Sequence, residues 1–145
     1  MQELTYPVTL TPGEQPGRFL ITFGDIPEAI TWGDGIKDTL WQAADCLEEA
    51  IAGRIRRGDE IPKPSKPKKG QRMIPVPAPM AAKAALYLAI REAGISNSEL
   101  ARRLGCDEKE VRRMLDPRHA TKLPRIQEAL ELLGKRLVVS VQEAA

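Results

Sequence analysis

The hydrophobic positions of the first sixty residues change period once. Apolar side chains alternate with polar ones over residues 6–11 and dominate residues 19–23 and 29–32, a pattern typical of β-strands separated by turns. From residue 36 the apolar positions recur every three or four residues, which is the period of an amphipathic helix. The pattern predicts a hairpin, a third strand and one long helix that ends near Gly58.

Proline dominates the middle of the chain. Residues 61–79 contain six of the twelve prolines, so we expect no helix there. Residues 73–76 form a candidate strand at a sheet edge, where proline is tolerated. Residues 62–71 carry lysines between the prolines, and we expect them to form a mobile basic loop.

The remaining residues favour short helices. Helical periodicity covers residues 81–93, 98–105, 107–116 and 124–133, and residues 137–141 have the β-branched composition of a strand. In the first of these helices, the residues predicted to face inward are Ala85, Leu88 and Ala89. The sequence therefore predicts an α+β protein, in which a small sheet-plus-helix domain (residues 1–76) precedes an all-α domain (residues 80–145).

The small net charge of +2 hides an uneven distribution. Residues 1–60 hold 5 Lys/Arg and 11 Asp/Glu, a balance of −6. Residues 61–145 hold 17 Lys/Arg and 9 Asp/Glu, a balance of +8. A basic half is suited to a polyanion such as nucleic acid, and an acidic half is suited to a cationic protein.

Composition argues against several other classes of protein. Cys46 and Cys106 form no CxxC pair, and His119 is the single histidine, so we expect neither a metal site nor a cofactor. No apolar run is long enough to span a bilayer, and the first residues lack the pattern of a signal peptide. We therefore expect a cytoplasmic protein without a membrane partner.

Residues 97–116 have the spacing of a helix-turn-helix. Leu100 and Leu104 anchor one short helix, and Val111 and Met114 anchor the next helix on one face. Gly105 lies at the turn between them, where a positive φ costs glycine least. The alternative is an inert helical bundle with a solvated basic face, but a turn glycine between two sets of apolar anchors favours the DNA-binding interpretation.

The polar positions around this turn predict DNA contacts. An aspartate is suited to cap the second helix, and arginines on the outer side of that helix are suited to guanine edges in the major groove. Cations at the helix ends are suited to phosphates. The predicted DNA-binding residues are Arg102, Asp107, Glu108, Lys109, Arg112, Arg113, Arg118, His119 and Lys122.

Two sets of residues in the first domain admit more than one role. Asp25, Glu28 and Asp34 have the side chains of a metal-dependent enzyme, but they lie in turn-rich segments where such residues are common. We therefore expect no catalytic activity. Trp32 and Trp41 are candidates for partner contacts, although we favour core positions for both.

Motifs along nearly the whole chain resemble, in order, those of HicB-type antitoxins with a helix-turn-helix. They are residues 6–10 (Tyr-Pro-Val-Thr-Leu), 23–34 (Phe-Gly-Asp-Ile-Pro-Glu-Ala-Ile-Thr-Trp-Gly-Asp), 43–45 (Ala-Ala-Asp), 61–65 (Ile-Pro-Lys-Pro-Ser), 74–77 (Ile-Pro-Val-Pro), 98–105 (Ser-Glu-Leu-Ala-Arg-Arg-Leu-Gly) and 119–123 (His-Ala-Thr-Lys-Leu). The resemblance implies a partial ribonuclease-H-like first domain without nuclease activity. It also implies that this domain blocks a small mRNA-cleaving toxin of the HicA type, and that the second domain represses the chain's own operon.

These implications lead to specific expectations about partners. The residues expected at the toxin contact are Asp25, Glu28, Asp34, Asp45 and Glu48. Because one short helix contacts few bases, we expect a homodimer or higher homo-oligomer at a palindromic operator. The alternative function is a transcription regulator whose first domain senses a small molecule, and it requires a concave apolar pocket.

Overall fold

The computed structural model describes residues 3–144 and divides into two units, one ending at Ala81 and one beginning at Ala82. The first unit contains a four-stranded sheet and a long helix, whereas the second, up to residue 144, contains helices and no strand. The predicted α+β class is confirmed. The functional boundary placed between residues 76 and 80 stays a prediction.

Four strands form the sheet: β1 (Thr5–Pro12), β2 (Arg18–Thr22), β3 (Ile30–Asp34) and β4 (Arg72–Pro75). Their order across the sheet is β3-β2-β1-β4, and each neighbouring pair is antiparallel. Side chains alternate between faces, so that Val8 and Ile21 are fully buried whereas Thr9 is exposed. The segment predicted as an edge strand is β4, at the edge beside β1.

Helix α1 (Ile36–Arg57) packs on one face of this sheet. Ala43, Leu47 and Ile51 are fully buried, as the apolar stripe predicted. The helix ends at Gly58, whose φ of 74° is a left-handed conformation that glycine adopts without steric cost.

The helix approaches the sheet closely at Gly33. A Cβ atom added at Gly33 would lie 2.5 Å from both the Cα and the Oγ1 atom of Thr39 in α1. Thr39 is itself fully buried. The lack of a side chain at residue 33 therefore determines how near α1 lies to β3.

Both tryptophans lie at the surface, so the favoured prediction of core positions is wrong. Trp32 is 43% exposed and Trp41 is 63% exposed. Because Gly33 faces α1, strand alternation places Trp32 on the opposite face of the sheet. There the guanidinium carbon of Arg18 lies 5.0 Å from the centre of the Trp32 ring. Trp41 lies beside the apolar stripe of α1 rather than on it.

Helices α2 (Ala78–Ala93), α3 (Asn97–Leu104), α4 (Glu108–Leu115) and α5 (Leu123–Leu132) follow. The bounds of α3, α4 and α5 agree with the predicted ones to within one residue at each end. Helix α2 begins three residues before the predicted start at residue 81. Its Pro79 lies in the first turn, where a missing N–H costs no helical hydrogen bond, so the exclusion of helix from residues 61–79 was too broad.

The apolar core of the second unit joins α3 to α4 and α5. Of the α2 residues predicted to face inward, Ala89 is buried, but Ala85 and Leu88 are only half-buried. The core comprises Ala82, Leu86, Ala89, Ile90, Leu100, Ala101, Val111, Met114, Ile126, Ala129 and Leu130.

Residues 137–141 do not form the predicted strand. Leu137 packs against the core of the second unit, whereas Val138, Val139 and Val141 are 61%, 74% and 96% exposed. A β-branched composition favours a strand only where a neighbouring strand offers hydrogen bonds, and no strand of residues 3–144 pairs with this segment.

We expect Gly33→Ala to destabilise the protein by about 1–3 kcal/mol, because the added methyl group has to displace backbone atoms of α1. Urea unfolding followed by circular dichroism measures the change in the free energy of unfolding. Gly24→Ala is the matched control: neither glycine has a positive φ, and a Cβ at residue 24 meets no atom within 4 Å. We expect the control to change stability by less than about 0.5 kcal/mol. Equal effects of the two substitutions would contradict the close approach at Gly33.

Candidate functional site

Three residues, Gly105, Cys106 and Asp107, join α3 to α4. Gly105 has a φ of 69°, and its N–H donates to the carbonyl of Arg102 at 3.2 Å, which closes α3. The carboxylate of Asp107 accepts a hydrogen bond from the N–H of Glu110 at 2.9 Å. The predicted turn glycine and the predicted aspartate cap are therefore both present.

The start of α3 has a cap that was not predicted. The hydroxyl of Ser96 accepts a hydrogen bond from the N–H of Glu99 at 3.1 Å. Serine followed three residues later by glutamate is the pattern of a capping box, so the signal was present in the sequence. Both short helices thus begin at a side chain that satisfies their free N–H groups.

Helix α4 carries three cations on the side away from the core. Val111 and Met114 are buried, and helical spacing places Lys109, Arg112 and Arg113 on the exposed side. Three cations on one exposed face form a surface suited to the acceptors of a nucleic acid groove.

The nearest acidic neighbour of Arg112 is only loosely bound to it. The Nε atom of Arg112 lies 4.0 Å from one carboxylate oxygen of Glu108. The other carboxylate oxygen of Glu108 accepts a hydrogen bond from the hydroxyl of Ser98 at 3.1 Å. An exposed ion pair of this length contributes little, so the Arg112 guanidinium is available to another acceptor.

The arginines at the end of α3 have an acidic partner. Arg102 and Arg103 contact the carboxylate of Glu99 at 2.6 and 3.0 Å. These two guanidiniums lower the pKa of the Glu99 carboxyl to about 2. A phosphate contact by Arg102 would therefore compete with Glu99.

The cations between α4 and α5 have no such partner. Arg118, His119 and Lys122 are all exposed, and within residues 3–144 their side chains form no ion pair. The carboxylate of Asp116 accepts from the N–H of Arg118 at 2.9 Å, and the carbonyl of Asp116 accepts from the N–H of His119 at 3.0 Å. These bonds form a turn that carries the predicted phosphate contacts.

Lys83 is a buried cation that was not predicted. It lies in α2 with only 4% of its surface exposed. Its ammonium donates to the carbonyls of Arg113 and Met114 at 3.2 and 2.8 Å, and to the hydroxyl of Thr121 at 2.8 Å. It therefore binds both the end of α4 and the segment that precedes α5.

The sequence contained a signal for this lysine. Leu86 and Ile90 follow Lys83 by three and seven residues on the buried face of α2, so helical spacing places its stem on that face. Burial lowers the pKa of Lys83 below its ordinary value, and Asp116 opposes the shift. The carbonyls at the end of α4 are suited to a cation, because the end of a helix carries partial negative charge.

Three of the five carboxylates expected at a toxin contact bind residues of the first unit. Asp25 accepts hydrogen bonds from the N–H (2.8 Å) and the hydroxyl of Ser65. Glu28 holds Arg54 through two hydrogen bonds of 2.7 Å. These bonds join the loop between β2 and β3 to the segment before β4 and to α1.

Asp34 also has an internal partner, since it contacts Arg18 across β2 and β3 at 3.0 Å. The Arg54 guanidinium beside Glu28 lowers the pKa of that carboxyl. Asp25, Glu28 and Asp34 thus have three different cationic or hydrogen-bonding neighbours and do not converge on one point. Across residues 3–144, no three His, Cys, Asp or Glu side chains are grouped so that they could hold a metal ion.

The other two carboxylates lie on α1 beside Trp41. Asp45 and Glu48 follow this tryptophan by four and seven residues, a spacing that places all three along one side of the helix. Burial raises the pKa of the Glu48 carboxyl, and Asp45 and Glu49 add to the shift. We name this surface, made of Trp41, Asp45 and Glu48, the α1 patch.

A depression of about 280 Å³ also lies on the first unit. Four of its seven lining residues are charged, namely Glu28, Glu49, Arg56 and Arg57. It is not the concave apolar pocket that a small-molecule sensor requires. Among the described residues, no helix is both long and apolar enough to cross a membrane.

Comparison with known proteins identifies relatives over most of the chain. The model of a family described as HicB-like antitoxin of bacterial toxin-antitoxin system matches residues 5–85. Antitoxin HicB of Escherichia coli K12 is 37% identical over 92% of this chain and 96% of its own. Antitoxin HicB 1 and Antitoxin HicB 2 of Photorhabdus laumondii are 34% and 38% identical, over 98% and 94% of this chain and 90% and 95% of their own.

We expect Lys83→Met to destabilise the protein by about 1–3 kcal/mol, because the carbonyls at the end of α4 lose a buried hydrogen-bond donor. Urea unfolding measures the change. Lys109→Met is the matched control, since it removes the same charge from an exposed position of α4; we expect a change of less than about 0.5 kcal/mol.

The same variant gives a prediction for pH. The folded chain holds the Lys83 proton less tightly than the unfolded chain, whose lysine titrates near 10.5. Stability therefore rises as pH increases from the folded pKa to the unfolded pKa. We expect the stability difference between wild type and Lys83→Met to grow as the pH is raised from 7 toward 10.5. A difference that shrinks over this range would contradict a buried ammonium.

Proposed function

The chain belongs to the family of HicB-like antitoxins of bacterial toxin–antitoxin systems, and we propose that its two units have separate partners. The first unit binds and sterically blocks a small HicA-type toxin. The second unit binds the operator of the chain's own operon through α3 and α4 and represses it. On this proposal the protein is not an enzyme, because it acts by covering the toxin and the operator.

One observation carries the DNA-binding half of the proposal: Lys109, Arg112 and Arg113 lie together on the exposed side of α4, whose two ends are fixed by Asp107 and Lys83. A recognition helix has to keep its backbone in place while its outer side chains contact base edges. Exposed cations on a fixed helix meet both requirements.

The predicted DNA contacts differ in the DNA group that each is suited to bind, because they differ in side-chain type and in position relative to α4. Arg112 is suited to a guanine edge, because its fork of N–H groups matches two acceptors. Glu108 at the start of α4 is suited to the amino group of cytosine. Arg118, His119 and Lys122, outside the helix, are suited to phosphates.

A single eight-residue helix contacts few bases, so we propose that two copies bind a palindromic operator. Half-sites would then lie roughly 34 Å apart. Val138, Val139 and Val141 support association, because three exposed valines in a segment without secondary structure are suited to strand pairing with a second copy.

We place the toxin contact on the α1 patch. Trp41 is 63% exposed and offers a large apolar surface, and Asp45 and Glu48 have no ion pair within the described chain. An aromatic anchor flanked by unpaired carboxylates is suited to a cationic partner. Asp25, Glu28 and Asp34 would contribute only by sharing or releasing the internal partners described above.

We expect Arg112→Ala to weaken operator binding by about 1–3 kcal/mol and to relax sequence preference at the position it contacts. Fluorescence anisotropy with the duplex upstream of the operon, at fixed salt, measures both effects. Arg118→Ala is the comparison: loss of a phosphate contact should weaken binding to all duplexes alike. If Arg112→Ala keeps full affinity and preference, α4 is not the recognition helix.

We expect Trp41→Ala to weaken toxin binding by about 2 kcal/mol or more, roughly 30-fold, as is usual for a central aromatic anchor. Calorimetry with a catalytically inactive form of the proposed HicA-type toxin measures the change. Trp32→Ala removes an exposed tryptophan from the opposite face of the sheet and should leave affinity within about three-fold. A larger effect at Trp32 would move the contact to that face.

A further inference from the structure

The most concentrated positive charge of the chain lies in the first unit, directly after the acidic residues 1–60. We use the name basic loop from here on for residues 63–72, which end on the first residue of β4. Its five cations are Lys63, Lys66, Lys68, Lys69 and Arg72. No Asp or Glu occurs between Glu60 and Glu92, so the sequence offers these cations no local counter-charge.

The cations of the basic loop are all accessible. Each of the five side chains is exposed, and within residues 3–144 none of them forms an ion pair. Like charges gathered in this way repel one another and reduce stability unless a partner neutralises them. The arrangement is therefore unfavourable for the isolated protein.

The backbone that carries these cations is fastened to the sheet, although the composition predicted a mobile loop. The buried hydroxyl of Tyr6 donates to the carbonyl of Pro62 at 2.7 Å, and burial raises the pKa of this hydroxyl to about 12, so it remains a donor. Further along, Asp25 accepts two hydrogen bonds from Ser65. Tyr6 and Asp25 lie 56 and 40 residues away in the sequence from the residues that they bind.

The far end of the basic loop is fastened as well. The side-chain amide of Gln71 donates to the hydroxyl of Thr9 in β1 at 3.0 Å and accepts from the N–H of Lys68 at 2.8 Å. The N–H of Gln71 donates to the carbonyl of Lys68 at 3.1 Å. These bonds form a tight turn, in which Gly70 has a φ of 83°, with Lys68 and Lys69 at its tip.

We propose that the basic loop is a second DNA contact, which binds the phosphate backbone beside the operator without regard to sequence. A preorganised backbone lowers the entropy lost when cations bind. Lysine is suited to phosphates, which it meets as a point charge, but is depleted in protein–protein interfaces. A basic toxin is disfavoured as the partner, because it would repel these cations.

This inference rests on the proposed operator binding and extends it to the first unit. Because both contacts belong to one chain, binding of one raises the effective concentration of the other. Phosphate contacts release counterions, so each contact increases the salt dependence of affinity by about 0.9 in the slope of log K against log salt. The slope is thus the quantity that identifies the contact.

The test compares two double variants of the full chain that lose the same charge. Lys68→Gln/Lys69→Gln removes two cations from the loop tip, and Lys37→Gln/Arg56→Gln removes two exposed cations from α1. Anisotropy with the upstream duplex and with a scrambled duplex is measured at several salt concentrations. We expect the slope of log K against log salt to be smaller in the loop variant by up to about 1.8. A four-fold rise in salt then weakens DNA binding by the loop variant roughly 12-fold less than it weakens binding by the wild type.

The preference of the loop variant for the operator over the scrambled duplex should be unchanged, and the α1 variant should keep the wild-type slope. An unchanged slope in the loop variant, with normal operator binding by the wild type, overturns this inference alone. Equal slope changes in both variants also overturn it, because they would reflect net charge.

A loop variant that keeps the slope but loses toxin binding assigns the loop to the toxin. Failure of the wild type to bind the operator removes the proposed operator function and, with it, this inference.

Discussion

The free hydrogen-bonding groups at helix ends constrain the second unit more than any other feature. Every α-helix leaves its first four N–H and last four C=O groups without partners inside the helix, and α3 and α4 have only eight residues each. Helices this short do not persist alone in water. Ser96, Asp107 and Lys83 supply the missing partners, and the shared apolar core fixes the pair. Only then can the outer side of α4 carry cations that take no part in folding.

Charge has two different uses in the first unit. Asp25 and Glu28 hold elements of the unit together through Ser65 and Arg54, whereas the cations of the basic loop and the carboxylates of the α1 patch have no partner in the described chain. Charges of the first kind stabilise the fold. Charges of the second kind are left for other molecules, which is why the proposed contacts are built from them.

Most of the fold could be predicted from the sequence, because periodicity and turn residues determine local structure. The strands, α1, the turn at Gly105 and the Asp107 cap all follow from such local patterns. The exposure of Trp32 and Trp41 could not be predicted in this way. Residue type indicates what is favourable to bury, but whether a neighbouring element reaches far enough to cover a side chain depends on tertiary packing.

In the candidate site, too, some features follow from local sequence pattern and others depend on tertiary packing. The outward position of Lys109 and Arg112 follows from helical spacing alone. The internal partners of Asp25 and Asp34 do not, because Ser65 and Arg18 are distant in sequence and meet them only in the folded unit. The strand predicted at residues 137–141 is absent for a related reason, since a strand needs a neighbouring strand and residue type alone does not show whether one lies beside it.

The separation between the supports of α4 and its outer face has an evolutionary consequence. Val111, Met114 and Lys83 maintain the helix, so substitutions at Lys109, Arg112 or Arg113 leave folding nearly unaffected. Under the proposed operator function, duplicated copies of such an operon in one genome can diverge at these three positions. Each protein then recognises only its own operator, while every copy retains the same fold.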